Sequence, residues 1–260
     1  MGCQDMKINL HKDKNIGKVL YIVEGAKTET FLLWKIFADI LDYQVEVKTR
    51  SHPYQVFNKK DNPYSKIFVI NAAESNIKNI KKDEEFLNNL FIELIENYDF
   101  DIDNAAIYYL FDRDVESNTD PIFIRKMLNT LTNARENDNN YRQGVLLLSY
   151  PSIESFTLSC FDETSFSLKM KLGSELKKYL DINHYNQSKI DEDKLEMAVK
   201  TLFHSLCFIN EGSFDIDHLK ELNIKVFNLE ESIYSEEEVY HCLSLLAISL
   251  IDLGVIDIES

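Results

Sequence analysis

The sequence predicts an α/β protein: a parallel sheet flanked by helices, with a helical C-terminal portion. Three observations carry this. Short apolar runs at 18–23, 44–48, 67–70, 105–111 and 144–149 have the length and composition of strands. Segments with helix-period apolar positions separate most of them, and that alternation is the pattern of a parallel sheet. From about residue 165 onward the periodicity turns helical.

Residues 1–17 are polar and read as a flexible or edge segment. Lys18-Val19-Leu20-Tyr21-Ile22-Val23 is the first buried strand, ended by Glu24-Gly25. Thr28 is the expected N-cap of a helix with Glu29 in its first turn, running to about Leu41. A strand at 44–48 leads into a loop that contains Pro53 and Pro63, and Ile67–Ile70 is the next strand. Residues 78–97 carry Ile80, Phe86, Leu87, Leu90, Phe91, Leu94 and Ile95 at helical spacing. Ala105 to Phe111 is a buried strand ending in Asp112-Arg113-Asp114. Pro121 suits the first turn of a helix to about Arg135. After the turn residues 137–140, Gly144 to Ser149 is a further buried strand, and Pro151 opens a helix through Phe161. Residues 174–180, 191–209 and 235–252 read as helices, with a short strand at Ile224–Phe227. The organisation expected is a flexible N-terminus (1–17), an α/β domain (18–165) and a helical region (166–260).

Charge narrows the function. The 260 residues carry a net charge of −16, which argues against a general nucleic-acid coat or a binder of anionic membranes. The charge is uneven: residues 1–82 have net +5 and residues 83–260 net −21. A nucleic acid can therefore dock on the N-terminal side, or across divalent cations. The 4 cysteines are widely spaced with no CxxC, and no secretory h-region is present, so reduced thiols in a cytoplasmic protein are expected. No apolar run is long enough for a transmembrane helix, and no membrane partner is expected. With 7 glycines and neither GxGxxG nor GxxxxGK[ST], the chain has no P-loop and no dinucleotide fingerprint.

The chemistry is expected at the strand ends. In an open α/β sheet, ligands bind beyond the carboxyl ends of the strands. Glu24 follows the first strand, Asp112 and Asp114 follow the strand at 105–111, and Glu154 follows the strand at 144–149. Residues i and i+2 of an extended segment point the same way, so Asp112 and Asp114 can face one site. Gathered carboxylates repel one another unless a cation sits among them, and hard oxygen donors suit Mg²⁺ or Mn²⁺. Against this, an acid after a strand is often only a turn former, and a lone Asp-x-Asp in a chain with 44 acidic residues is more often that. The second acidic strand end, Glu24, shifts the balance toward a site.

Ile22-Val23-Glu24-Gly25-Ala26-Lys27-Thr28-Glu29 followed by Tyr109-Leu110-Phe111-Asp112-Arg113-Asp114 resembles the Toprim domain, over roughly residues 18–165. The EGxxTE form looks closest to the RloB and OLD-like nuclease branch. The resemblance implies that Glu24 is a metal ligand or general acid/base, and that Asp112 and Asp114 are Mg²⁺ ligands. Glu29 matches the acidic residue that holds a second metal in the OLD-like branch, one position further from the glutamate than in EGxTD. Glu154, in Tyr150-Pro151-Ser152-Ile153-Glu154, resembles a glutamate after the fourth strand of RloB-like proteins. OLD proteins carry an ATPase in the same chain; this one has no Walker A motif. The resemblance therefore implies a separate ATPase partner, as in two-component anti-phage defence systems such as PARIS, and leaves a homodimer open.

Lys27 and Arg113 flank the acidic motifs, where each is either a phosphate contact or a solvated charge. Lys48, Arg50, Lys59 and Lys60 with Tyr54 and Phe57 are more simply surface and core than a single-strand platform. Glu230-Glu231 and Glu236-Glu237-Glu238 read as solvated helix ends, and His184, His204, His218 and His241 as ordinary core or surface histidines. The expected activity is metal-dependent hydrolysis of phosphodiester bonds in DNA or RNA, including tRNA. The alternatives are a non-catalytic scaffold of the same shape that binds a basic protein partner, and a metal-dependent phosphatase or nucleotide-processing enzyme.

Overall fold

The computed structural model describes residues 6–25, 27–46, 54–71, 92, 96, 104–115, 118–135, 144–209 and 218–259. In chain order the first elements are β1 (Lys7–Leu10), β2 (Lys18–Val23), α1 (Thr28–Trp34), β3 (Tyr43–Val45), β4 (Tyr54–Lys59), β5 (Asn62–Asn71) and β6 (Ala105–Asp112). Next come α2 (Pro121–Thr130), β7 (Thr132–Asn133), β8 (Gly144–Tyr150), α3 (Glu154–Ser159), β9 (Lys169–Met170) and α4 (Gly173–Ile182). The last are α5 (Glu192–Ile209), α6 (Leu219–Glu237), β10 (Tyr240–His241), β11 (Leu243–Ser244), α7 (Leu246–Asp252) and β12 (Ile256–Glu259).

The runs read as strands at 18–23, 67–70, 105–111 and 144–149 lie in strands, as do residues 44 and 45 of the run at 44–48. The main sheet has the order β11-β8-β6-β2-β5-β4-β3, with β7 on β8. Its centre is parallel: β2 pairs with β5 (Val19↔Ile67) and with β6 (Val19↔Ala106). Val19, Leu20, Tyr21 and Val23 are fully buried, as a strand covered on both faces requires. The expected fold class is therefore present: a mixed α/β chain with a sheet parallel at its centre, flanked by helices, and a largely helical C-terminal part.

The chain forms two compact units. The first is Asn15–Leu110 with Ile122–Leu146. Here α1 runs on as a π-helical stretch, Lys35–Ile40, and buries Leu32, Leu33, Ile36 and Phe37. The Phe37 ring lies 5.7 Å from Tyr21 on β2, and Tyr21 stacks on Tyr108 of β6 at 5.2 Å. Gly144 opens β8 at φ +127, and a Cβ there would lie 2.4 Å from the Tyr109 ring, so only glycine fits. The loop expected between the second and third strands is instead β4, hairpinned antiparallel onto a longer β5 through Lys60-Asp61. Pro63 is one of the two prolines expected in that loop. It falls between the pairs Asn58↔Lys66 and Lys59↔Asn62, where the register shifts and the ladder asks nothing of its missing N–H. The helix expected at 78–97 lies outside the described residues except Ile92 and Glu96, both helical. Helix α2 begins at Pro121 as expected but stops at Thr130, because Thr132-Asn133 pair with β8.

The second unit is Met1–Lys14, Phe111–Pro121 and Leu147–Ser260. Ile224–Phe227, expected as a strand, lies inside α6. There Leu219, Leu222, Val226, Phe227 and Glu230 are buried at helical spacing, and packing of that face overrides the β propensity of a four-residue run. The helix expected at 235–252 is broken: α6 ends at Glu238 in the left-handed region (φ 57), and β10 and β11 precede α7. Of the two readings of the polar N-terminus, flexible or edge segment, residues 7–10 take the second. Lys7–Leu10 form β1, paired antiparallel with β12 (Lys7↔Glu259, Leu10↔Ile256). Among the described residues no helix is long and apolar enough to cross a membrane.

Candidate functional site

In the first unit the acidic loop is closed by its own residues. Glu24 leaves β2 8% exposed and donates its backbone N–H to Leu110 O at 3.2 Å. Asp112 follows Leu110 by two residues. Glu29, 5% exposed, folds back so that its Oε1 accepts the Gly25 N–H at 2.9 Å. A Cβ on Gly25 would come within 2.4 Å of Glu29 Oε2, so the Glu-Gly step is what lets this carboxylate lie against the backbone. Thr28, the expected cap, is the first helical residue. Lys27 occupies the N-cap position without a side-chain cap bond and is exposed.

In the second unit Asp112, Arg113 and Asp114 are each held by hydrogen bonds with residues outside the motif. Burial alternates along the three: Asp112 and Asp114 are half-buried, and Arg113 between them is 2% exposed. Asp112 Oδ1 accepts the Ile153 N–H at 2.8 Å. Asn118, 2% exposed, donates from Nδ2 to Asp112 O at 2.6 Å and from its backbone N–H to Asp114 O at 2.9 Å. Arg113 donates its backbone N–H to Ser149 O at 2.8 Å. Its guanidinium makes a fork with Glu231 (Nε to Oε1 2.8 Å, Nη2 to Oε2 3.0 Å), and Nη1 donates to Asn118 O. Burial works against the charged guanidinium, but the hydrogen bonds and charge of Glu231 outweigh it and raise the Arg113 pKa further.

Beside this loop, Glu154 opens α3 at 4% exposure. Its Oε2 accepts the Ser152 hydroxyl at 2.7 Å, and its Oε1 stands 3.3 Å from the Lys177 ammonium. Gly173, first in α4, has no Cβ where one would stand 2.7 Å from Ser152 Oγ and 3.6 Å from Asp114 Oδ2. The missing side chain leaves a small cradle against Ser152 and Asp114.

The structure thus places Asp112, Asp114 and Glu154 in one unit, and Glu24, Glu29 and Lys27 in the other. Among the described residues no three Asp, Glu, His or Cys side chains stand together as a ready metal cage. Arg113 differs from the expected phosphate contact: its charge is turned inward and committed to Glu231. Glu230-Glu231 differ from the expected solvated pair. Glu230 is fully buried and meets His241 Nδ1 at 3.0 Å, whereas Glu237 and Glu238 do reach solvent and pair with Lys169 and Lys171. Phe57 is fully buried, and Lys59 donates to Leu41 O at 2.7 Å, whereas Lys48 and Arg50 lie outside the described residues. Asn118 and Lys177 carry no motif, Ser152 enters the sequence reading only as a neighbour of Glu154, and Glu231 only as a solvated helix end. A buried glutamate at helical spacing with Leu222, Val226 and Phe227 was the available signal for α6. No protein-family model, no curated protein and no solved structure matches the chain.

Proposed function

We propose that the chain is a Toprim-type, Mg²⁺- or Mn²⁺-dependent phosphodiester hydrolase acting on DNA or RNA, tRNA included. The observation that carries this reading is the Asp112–Asp114 loop. Two half-buried carboxylates leave a central strand, Arg113 between them turns inward, and Asp112 Oδ1 is aimed by a backbone N–H. The donor set fits a hard divalent cation: carboxylate oxygens beside the cradle at Gly173, which a side chain would fill. Asp112 and Asp114 would hold the cation. The resemblance adds Glu154 as a further oxygen ligand, which would have to leave Ser152 and Lys177 to reach that cation. Within the first unit, Glu24 would be a ligand or proton carrier of its own, with Glu29 closing the same loop and exposed Lys27 as a phosphate contact. A bound divalent cation supplies an activated water and charge neutralisation at the leaving oxygen. The setting this reading implies is bacterial anti-phage defence with a separate ATPase subunit.

A second reading is a non-catalytic scaffold of the same shape. The net charge of −16 favours it, since an acidic surface suits a basic protein partner. One experiment separates the two. Purified protein is incubated with Mn²⁺ or Mg²⁺ and either supercoiled DNA or total tRNA, alongside the Asp112→Asn, Asp114→Asn double variant. Metal-dependent cleavage absent from the folded double variant is the expected result. Equal cleavage by both proteins overturns the assignment. No cleavage by either, with a basic protein captured equally by both, establishes the scaffold.

A further inference from the structure

We infer that Glu231 positions the metal-holding carboxylates through Arg113. This rests on the reading of Asp112 and Asp114 as metal ligands. Arg113 sits between them, and its side chain is fixed at three nitrogens: Nε and Nη2 on Glu231, 118 residues away in the sequence, and Nη1 on the Asn118 carbonyl. The guanidinium also lies over the Tyr240 ring, 5.7 Å from its centroid. Its backbone N–H is held by Ser149 O. The Asp112–Arg113 and Asp114–Val115 peptide planes are held as well, because Asn118 takes the Asp112 carbonyl with its side chain and the Asp114 carbonyl with its backbone N–H. Shifting the backbone of either aspartate therefore moves Arg113 against bonds that end on α6, while the Asp112 side chain is aimed separately by the Ile153 N–H.

Stability alone is a poor explanation for the pair. A buried ion pair repays the dehydration of its charges only with very good geometry, and apolar replacements of similar volume are often as stable. What a fork adds is direction: two parallel N–H···O bonds fix the guanidinium plane as well as its position. Outer-shell groups of this kind tune metal affinity by holding ligands within a fraction of an ångström of their working geometry. The Arg113 side chain is 3% exposed and that of Glu231 18%, so the pair itself is not placed to meet a substrate. Glu231 is thus a positioning residue, acting on the cation only through Arg113.

The test measures Mn²⁺ dissociation constants by calorimetry, with thermal melts, for four full-length proteins: wild type, Asp112→Asn, Arg113→Met with Glu231→Leu, and Arg113→Lys. The apolar double replacement removes both buried charges and so keeps the fold. Its Mn²⁺ affinity is expected to fall about 10-fold or more at an unchanged melting temperature. Arg113→Lys, which reaches Glu231 but makes no fork, is expected to lie between it and wild type. Wild-type affinity in a folded apolar double variant overturns the positioning role and leaves the metal site standing. Absence of Mn²⁺ binding in wild type, or equal binding by Asp112→Asn, overturns the metal site and the positioning role together. If the apolar double variant does not fold, Arg113→Lys decides: weakened binding in a folded protein supports the role and unchanged binding overturns it.

Discussion

The two acidic strand exits are held in opposite ways. In the first unit Glu29 reaches back four residues to the Gly25 N–H, and the loop is closed by its own neighbours. In the second unit the Asp112–Asp114 loop is closed by Asn118 nearby, but its central arginine is held by Glu231, 118 residues further on. The first arrangement is written in six consecutive residues. The second exists only once α6 is packed. A motif can therefore mark where chemistry sits while the residue that fixes its geometry carries no motif at all.

Breaking the comparison at its chemical end has the largest expected effect. On the proposed reading Asp112→Asn removes a charged cation ligand from the second unit, and it is expected to lower metal-dependent cleavage by about 10³-fold or more, several kcal/mol of barrier. The melting temperature stays near wild type, and a cleavage rate within tenfold of wild type would contradict the role. The distant tether comes next. Glu231→Ala leaves the Arg113 charge buried without its partner and is expected to cost about 3–5 kcal/mol in urea melts. A loss under 1 kcal/mol would mean that Asn118 and water hold Arg113 without help from α6. In the first unit, Gly144→Ala places a methyl group 2.4 Å from the Tyr109 ring at φ +127, with an expected cost of about 3 kcal/mol.

Smaller effects sharpen the contrast. Burial, and then the charges of Glu230 and Glu231, push the Tyr150 hydroxyl well above its usual 10.0, and burial pushes the Cys242 thiol from 9.0 to about 12. Both groups stay protonated in the folded second unit at pH values where the unfolded chain has released its proton. Their contribution is whole below about pH 9 and is lost as pH rises beyond it, at most about 1.4 kcal/mol per pH unit for each group. Urea melts at pH 8, 9.5 and 10.5 would show a falling midpoint; a flat profile would refute it. Least of all, Gly25→Ala pushes the Glu29 carboxylate off its N–H, and because that carboxylate is the free end of a side chain the expected cost is about 1 kcal/mol. A loss above 3 kcal/mol would show that the local closure is as rigid as the distant one.

What the sequence made legible follows the same division. The buried strands at 18–23, 105–111 and 144–149 were readable because continuous apolar runs bounded by Gly or acidic residues have few other solutions. The exits Glu24 and Asp112-Arg113-Asp114 were readable because they sit directly on those runs. The β4–β5 hairpin was not, since Pro63 lies at a register shift that only the pairing reveals. Ile224–Phe227 misled because four residues cannot distinguish a period of 2 from one of 3.6, whereas the buried set from Leu219 to Glu230 can. Glu231 stayed hidden because its neighbour Glu230 and the acidic run after it look like solvated helix surface, and only packing turns the pair inward.

The pairing of β1 with β12 has a mechanical consequence. Lys7 lies opposite Glu259 and Leu10 opposite Ile256, so both outer ends of the chain leave from the same end of a short ladder. Force applied between the two ends loads those hydrogen bonds one after another, as in a zipper, rather than all together as in a shear. A load applied at Lys7 and Glu259 therefore opens a four-residue ribbon one pair at a time.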